Sequence, residues 1–394
     1  MNKNLWLLAL AQGFFLTNNV TFIGINGLVG LELAPYGWMA TLPVMGYVVG
    51  GALSTGMVAQ SQRLWGRQRA FQIGLLVSLA SAALGVLAVW LHSFALLLVT
   101  TLVAGYYNAN GQLYRFAAGE LAADGFKEKA ISLVLAGGLL GAVAGPFLAT
   151  QTKDWFGMRF AGPYVMLGVL AVIAMGVMHF IDFGKPPSPA AGGAGAARPA
   201  EHSAMAFFCV PAFAVAALSA SVSYGVMNLL MAATPLAMQV CGYPFDVTAT
   251  VLQWHVIGMF APGFFTGALI KRYGAMKVLY AGLVLNVLCV GIALSGQEVS
   301  QFLGSMLVLG VGWNFLFTAS TTLSTQAYRP EDKDRAQGVL NFCVFATMTL
   351  TSFASGALVT TEGWHWLNMG SLLPLALVGV ALLSLHVRGV SKHM

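Results

Sequence analysis

The sequence predicts an all-α integral membrane protein: twelve transmembrane helices in two six-helix bundles. Three observations carry this. Of 394 residues, 58% are hydrophobic and only 8% are charged, where a soluble domain carries about 25% charged residues. The apolar residues gather into runs of the roughly 20 that a bilayer crossing requires. Landmarks in the first half of the chain recur in the second at an offset of 206–208 residues.

The runs lie near 5–29, 35–59, 71–91, 94–117, 131–151, 161–182, 207–236, 247–270, 277–296, 300–323, 338–360 and 366–387. The first is long and has no small-residue cleavage site before a polar region, so it reads as a retained helix rather than a leader. Between the sixth and seventh runs, "GKPPSPAAGGAGAARPAEHSA" at 184–204 is dominated by Gly, Pro and Ala. No apolar period survives there, and it reads as a flexible linker. The expected organisation is a bundle over 1–183, a linker over 184–205 and a bundle over 206–394.

The repeat has three-to-seven-residue landmarks. "RLWGRQR" at 63–69 and "KRYGAMK" at 271–277 each follow a second helix. "KEKA" at 127–130 and "KDRA" at 333–336 each precede a fifth, and "YYN" at 106–108 answers "GWN" at 312–314 within a fourth. Six plus six helices in one orientation resemble the major facilitator architecture. "GALIKRYGAMK" at 267–277 resembles the facilitator signature Gly-x3-Asp-Arg-x-Gly-x2-Lys, with Lys271 in place of the Asp. The fifth run carries Gly137, Gly141 and Gly145 before Pro146; small residues four apart let helices approach closely. Packing is the first reading of that row, an antiporter motif the second.

Charge gives the orientation. Of nineteen Lys and Arg, only Lys153 and Arg159 fall in loops on the outer side. This bias predicts both termini in the cytoplasm and accounts for the net charge of +6 without nucleic acid. No phosphate-binding loop, HExxH or nucleophile–base pair is present, so neither an enzyme nor an ATP-driven pump is expected. All thirteen acidic residues lie in loops or near helix ends, which leaves no buried carboxylate as proton carrier.

Two pairs carry candidate chemistry. Met227 with Met231 in the seventh run, and His255 with Met259 in the eighth, stand at i, i+4. Such residues share a helix face. Thioether sulfur is soft and selects Cu(I), and imidazole suits copper among other metals. Neutral ligands would bind a monovalent ion without burying negative charge. Packing is the competing reading, because Met is a common gap-filler and His365 with Met369 repeats the pattern at the start of the last run. Gly225, Asn228 and Pro235 favour a bend or an unwound turn in the seventh run, and Cys241 in the following external turn is a possible accessory ligand. A second cargo class, an aromatic organic solute, would use Tyr47, Tyr106, Tyr107, Trp254 and Trp313.

The stretch "LGVGWNFLFTASTTLSTQAYRPEDKDRAQG" at 309–338 resembles a bacterial facilitator branch of CcoA-like copper importers and related riboflavin importers. The copper group resembles this chain in Met227, Met231, His255 and Met259. The resemblance implies import of copper, as Cu(I) or a small complex, across the bacterial inner membrane by alternating access. A cytoplasmic or membrane acceptor would then deliver it to cytochrome oxidase assembly. It implies a monomer with copper as cargo and no permanent cofactor. Riboflavin is the alternative cargo.

Overall fold

The computed structural model describes residues 3–122, 127–183, 204–329 and 332–391. Most of the expected linker, 184–203, lies outside the described residues. The elements are α1 (Lys3–Leu33), α2 (Leu42–Trp90), α3 (Phe94–Gly111), α4 (Tyr114–Leu121), α5 (Lys127–Thr152), α6 (Ala161–His179), α7 (Pro211–Val240), α8 (Phe245–Phe260), α9 (Gly263–Tyr273), α10 (Ala275–Leu294), α11 (Val299–Thr325), α12 (Lys333–Thr361) and α13 (Gly363–Ser391). Among the described residues no strand occurs.

The twelve apolar runs map onto these helices with three differences. At 1.5 Å per residue, the 49 residues of α2 span about 73 Å, more than twice a hydrocarbon core of roughly 30 Å. The second and third runs are therefore two crossings, and the helix breaks between them at Gly66, which has φ 76° and ψ 171°. Gly274, 208 residues on, repeats that conformation between α9 and α10 with φ 83° and ψ 154°. A side chain is strained at such φ, so both copies of the basic turn need glycine there. The fourth run divides into α3 and α4, and the eighth into α8 and α9 around Pro262. Among the described residues nine helices are long and apolar enough to cross a membrane one by one; the continuous α2 and the divided runs account for the difference from twelve. The expected bend in the seventh run does not break it, since α7 is a single 30-residue helix through Pro235.

The chain forms two compact units. The first comprises Met1–Gly193 with Pro235–Ile257, the second Ala194–Thr234 with Gly258–Met394. In the first unit α1 lies on α5 at backbone distance. A Cβ on Gly137 would stand 2.1 Å from the Ala9 carbonyl oxygen, and one on Gly141 2.4 Å from that of Gly13. Residues 9, 13 and 17 of α1 thus meet 137, 141 and 145 of α5, and Thr21 donates to the Gly145 carbonyl at 3.1 Å. The glycine row packs helices. Below it, Phe15 meets Tyr107 edge-on at 5.6 Å, and Phe71 meets Tyr114 at 4.8 Å. Arg67, just past the Gly66 break, clamps Glu120 of α4 through Nε at 3.0 Å and Nη2 at 2.5 Å.

In the second unit α7 and α12 are held differently. Asn228 Nδ2 lies within hydrogen-bond reach of the Met348 carbonyl at 3.1 Å, Thr351 Oγ1 at 3.1 Å and Ser352 Oγ at 2.8 Å. Phe213, Ala217 and Ala220 of α7 pack with Ala336 and Leu340 of α12.

Candidate solute site

No Asp, Glu, Lys or Arg is buried among the described residues. The buried polar side chains are amides, hydroxyls and His255. Each unit places part of this neutral chemistry at the middle of its helices.

In the first unit the centre of α1 reads "LTNNVTF" over 16–22. Asn19 Nδ2 donates to Tyr47 Oη at 3.2 Å and to Asn108 Oδ1 at 3.2 Å. Phe22 covers the Tyr47 ring at 5.0 Å. Asn19 and Asn108 are only half-buried. The two donor contacts use neither the Asn19 oxygen nor the Asn108 amino group, which leaves the pair able to accept and donate once more. Nearby, Asn18 donates to Ser78 Oγ at 3.4 Å.

In the second unit the corresponding tripeptide is Gly312-Trp313-Asn314. Its asparagine is engaged through both its nitrogen and its oxygen. Asn314 Nδ2 donates to the Met259 carbonyl at 2.7 Å, and its Oδ1 accepts from Thr266 Oγ1 at 2.6 Å. The Met259 carbonyl lies at the end of α8, next to the break before α9, and Asn314 supplies it with a side-chain donor there. Trp313, one residue before, is the centre of a ring cluster. It stacks on Phe317 at 5.5 Å and 6°, meets Tyr224 edge-on at 5.1 Å, and meets Phe260 at 6.3 Å. Tyr224 also meets Phe317 at 4.8 Å. Trp313 is 6% exposed, and its indole nitrogen has no acceptor. A buried donor left this way costs about 1–3 kcal/mol.

The sequence-predicted residues fall as follows. Met227, Met231, His255 and Met259 are all buried, and Cys241 is exposed. Met227, Met231 and Met259 belong to the second unit and His255 to the first. Burial is common to ligands and packing side chains and decides neither role. His365 and Met369 are exposed. Partial burial raises the Cys241 thiol above its ordinary pKa, so little of it is thiolate at neutral pH. Of the aromatic candidates, Tyr47, Tyr107 and Trp313 are buried, Tyr106 is half-buried and reaches Ser61, and Trp254 is 44% exposed. Sequence reasoning missed Asn19, Asn108, Tyr224, Phe260 and Phe317. Two signals were present: adjacent asparagines in the middle of an apolar helix, and the i, i+4 pair of Trp313 and Phe317.

Known proteins place this arrangement in a family. Residues 216–393 match the model of the Major Facilitator Superfamily. The riboflavin transporter RfnT of Brucella anthropi is 35% identical over 382 residues, 97% of this chain and 95% of that one. The chain belongs to the major facilitator superfamily. It is a multi-pass membrane transporter and not an enzyme. Solved facilitator structures agree in fold. A bacterial homologue of the iron transporter ferroportin aligns with TM-score 0.70 at 13% identity, covering 97% of this chain and 98% of the other. The nucleoside transporter NupG aligns with TM-score 0.73 at 13% identity, covering 97% and 99%.

The expectation of copper import is corrected by the RfnT match, which runs nearly end to end. The physical reason for the error is that i, i+4 spacing fixes a shared helix face and nothing more. In a chain with 18 Met, shared faces of Met arise from packing as readily as from coordination.

Proposed function

We propose that this facilitator imports riboflavin, or a neutral heteroaromatic solute closely similar to it, across the bacterial inner membrane by alternating access. The end-to-end similarity to RfnT carries the reading. The neutral interior supports it. Riboflavin is an uncharged flat tricycle with an amide edge and a polyol chain. Rings and amides can hold such a molecule, and a buried charge would incur desolvation with no counter-charge in the cargo. We further propose two six-helix halves, 1–183 and 206–394, joined by the linker, acting as a monomer with both termini cytoplasmic. Met227, Met231, His255 and Met259 are assigned to helix packing.

The cargo is tested in cells unable to synthesise riboflavin. Expression of the chain is expected to restore growth at low external riboflavin and to drive uptake of the radiolabelled vitamin, with excess unlabelled riboflavin competing and ribitol not. Full expression in the membrane with no uptake overturns the reading. Orientation is tested with the two exposed cysteines, Cys241 and Cys209. A membrane-impermeant maleimide is expected to label Cys241 in intact cells and Cys209 only after permeabilisation. Because the Cys241 thiol is raised and reacts as thiolate, its labelling rate should keep climbing with pH above the range where an ordinary thiol levels off. The reverse labelling order would invert the topology.

A further inference from the structure

We propose that Tyr224, Phe260, Trp313 and Phe317 form the stacking site for a planar heteroaromatic ring, and that the Trp313 indole N–H donates to an acceptor on that ring's edge. The inference rests on the riboflavin reading and names the residues that meet the cargo's ring within the second unit.

Three observations converge on it. Tyr224, Trp313 and Phe317 stand in mutual contact with centroids 4.8–5.5 Å apart, and Phe260 meets Trp313 at 6.3 Å. Tyr224, Phe260 and Phe317 are only partly buried, so aromatic surface remains open beside the buried indole. The Trp313 N–H is buried without an acceptor. A cluster serving the core alone gains nothing from that nitrogen, because a buried donor without an acceptor costs free energy. Buried Trp usually finds a partner for its N–H. A ligand that brings its own acceptor supplies one. No cation or anion is buried nearby among the described residues, so the edge it recognises is neutral. The isoalloxazine ring of a flavin has that character, being flat, uncharged and rimmed with carbonyl oxygens and ring nitrogens.

The equivalent position of the first unit lacks this feature. Tyr107 lies 206 residues earlier and is packed edge-on against Phe15. The stacking site is therefore a property of one half, not of the repeated scaffold.

The test uses the full-length protein in lipid nanodiscs and two probes, riboflavin and lumichrome, the tricyclic ring without the polyol chain. Equilibrium dialysis gives the affinities. Wild type is expected to bind both. Trp313→Phe keeps a ring and removes the donor; it should weaken both by about threefold to tenfold, the range of one net hydrogen bond. The smaller ring leaves a gap in the cluster, so the unliganded variant should melt somewhat lower than wild type, and affinities are compared at a temperature where both are folded. Trp313→Ala should weaken binding further. Equal lumichrome affinity in wild type and Trp313→Phe overturns the site, as does absence of lumichrome binding to wild type. Lumichrome binding that depends on Trp313, in a protein that takes up no riboflavin, keeps the stacking site and removes riboflavin as the cargo.

Discussion

The two units solve one packing problem in opposite ways. Each must hold its first helix against its fifth. In the first unit α1 and α5 meet backbone to backbone through glycine, and a Cβ on Gly137 would overlap the Ala9 carbonyl oxygen at 2.1 Å. In the second, α7 and α12 meet through side chains, and Asn228 is the clasp. Gly225 of α7 is also close to α12, but its neighbour is the end of the Thr347 side chain at 2.6 Å, not backbone. Close packing of small residues gives a contact that admits no adjustment. A side-chain clasp can be loosened and re-formed.

The same divergence runs through the middle of the helices. Asn108 and Asn314 are equivalent in the repeat. The first joins a half-buried pair with Asn19 and keeps hydrogen-bonding capacity. The second is buried and holds the Met259 carbonyl beside a helix break. The aromatic before each differs likewise, Tyr107 in the core and Trp313 in a ring cluster with an unsatisfied donor. The two asparagines are used differently: Asn108 stays half-buried beside Asn19, and Asn314 is buried next to a ring cluster.

Substitutions can break or sharpen this contrast. The largest effect is expected from Gly137→Leu, whose side chain would occupy the space of α1 backbone; folded protein should vanish from the membrane fraction, as read by size-exclusion of a fluorescent fusion. Gly225→Ala should remain folded, because the Thr347 methyl can rotate away. Equal tolerance at the two glycines would erase the distinction between the helix pairs. Next come the asparagines of the second unit. Asn228→Leu and Asn314→Leu each strip a buried hydrogen-bonding group from its partners, and each should cost about 1–3 kcal/mol, seen as a lower unfolding temperature in detergent. The smallest effect on stability is expected at Asn108→Leu. There the unfolding temperature should hold while KM for riboflavin uptake rises several-fold, corresponding to about 1 kcal/mol of lost polar contact. A drop in stability with unchanged KM would make Asn108 structural like its counterpart, and the contrast between the halves would fail.

Much of this was legible in the sequence, and the boundary is physical. Hydropathy fixes which segments cross, because each crossing must bury about 20 apolar residues whatever its neighbours are. The glycine row of α5 is set by local sequence and packs against α1, and Gly66 and Gly274 sit at breaks in the helices. Helical spacing fixes which residues share a face, so Met227 with Met231 was a pair from the start. What that face meets is set by elements tens of residues away. Only the tertiary structure put Tyr224 and Phe260 beside Trp313, gave Asn314 the carbonyl of Met259, and left Asn19 and Asn108 half-open. The sequence alone made this chain a twelve-span helical protein with a neutral interior. Tertiary packing decided which neutral groups are spent on holding helices together and which remain free for a solute, because a hydrogen bond is completed by its partner and periodicity specifies none.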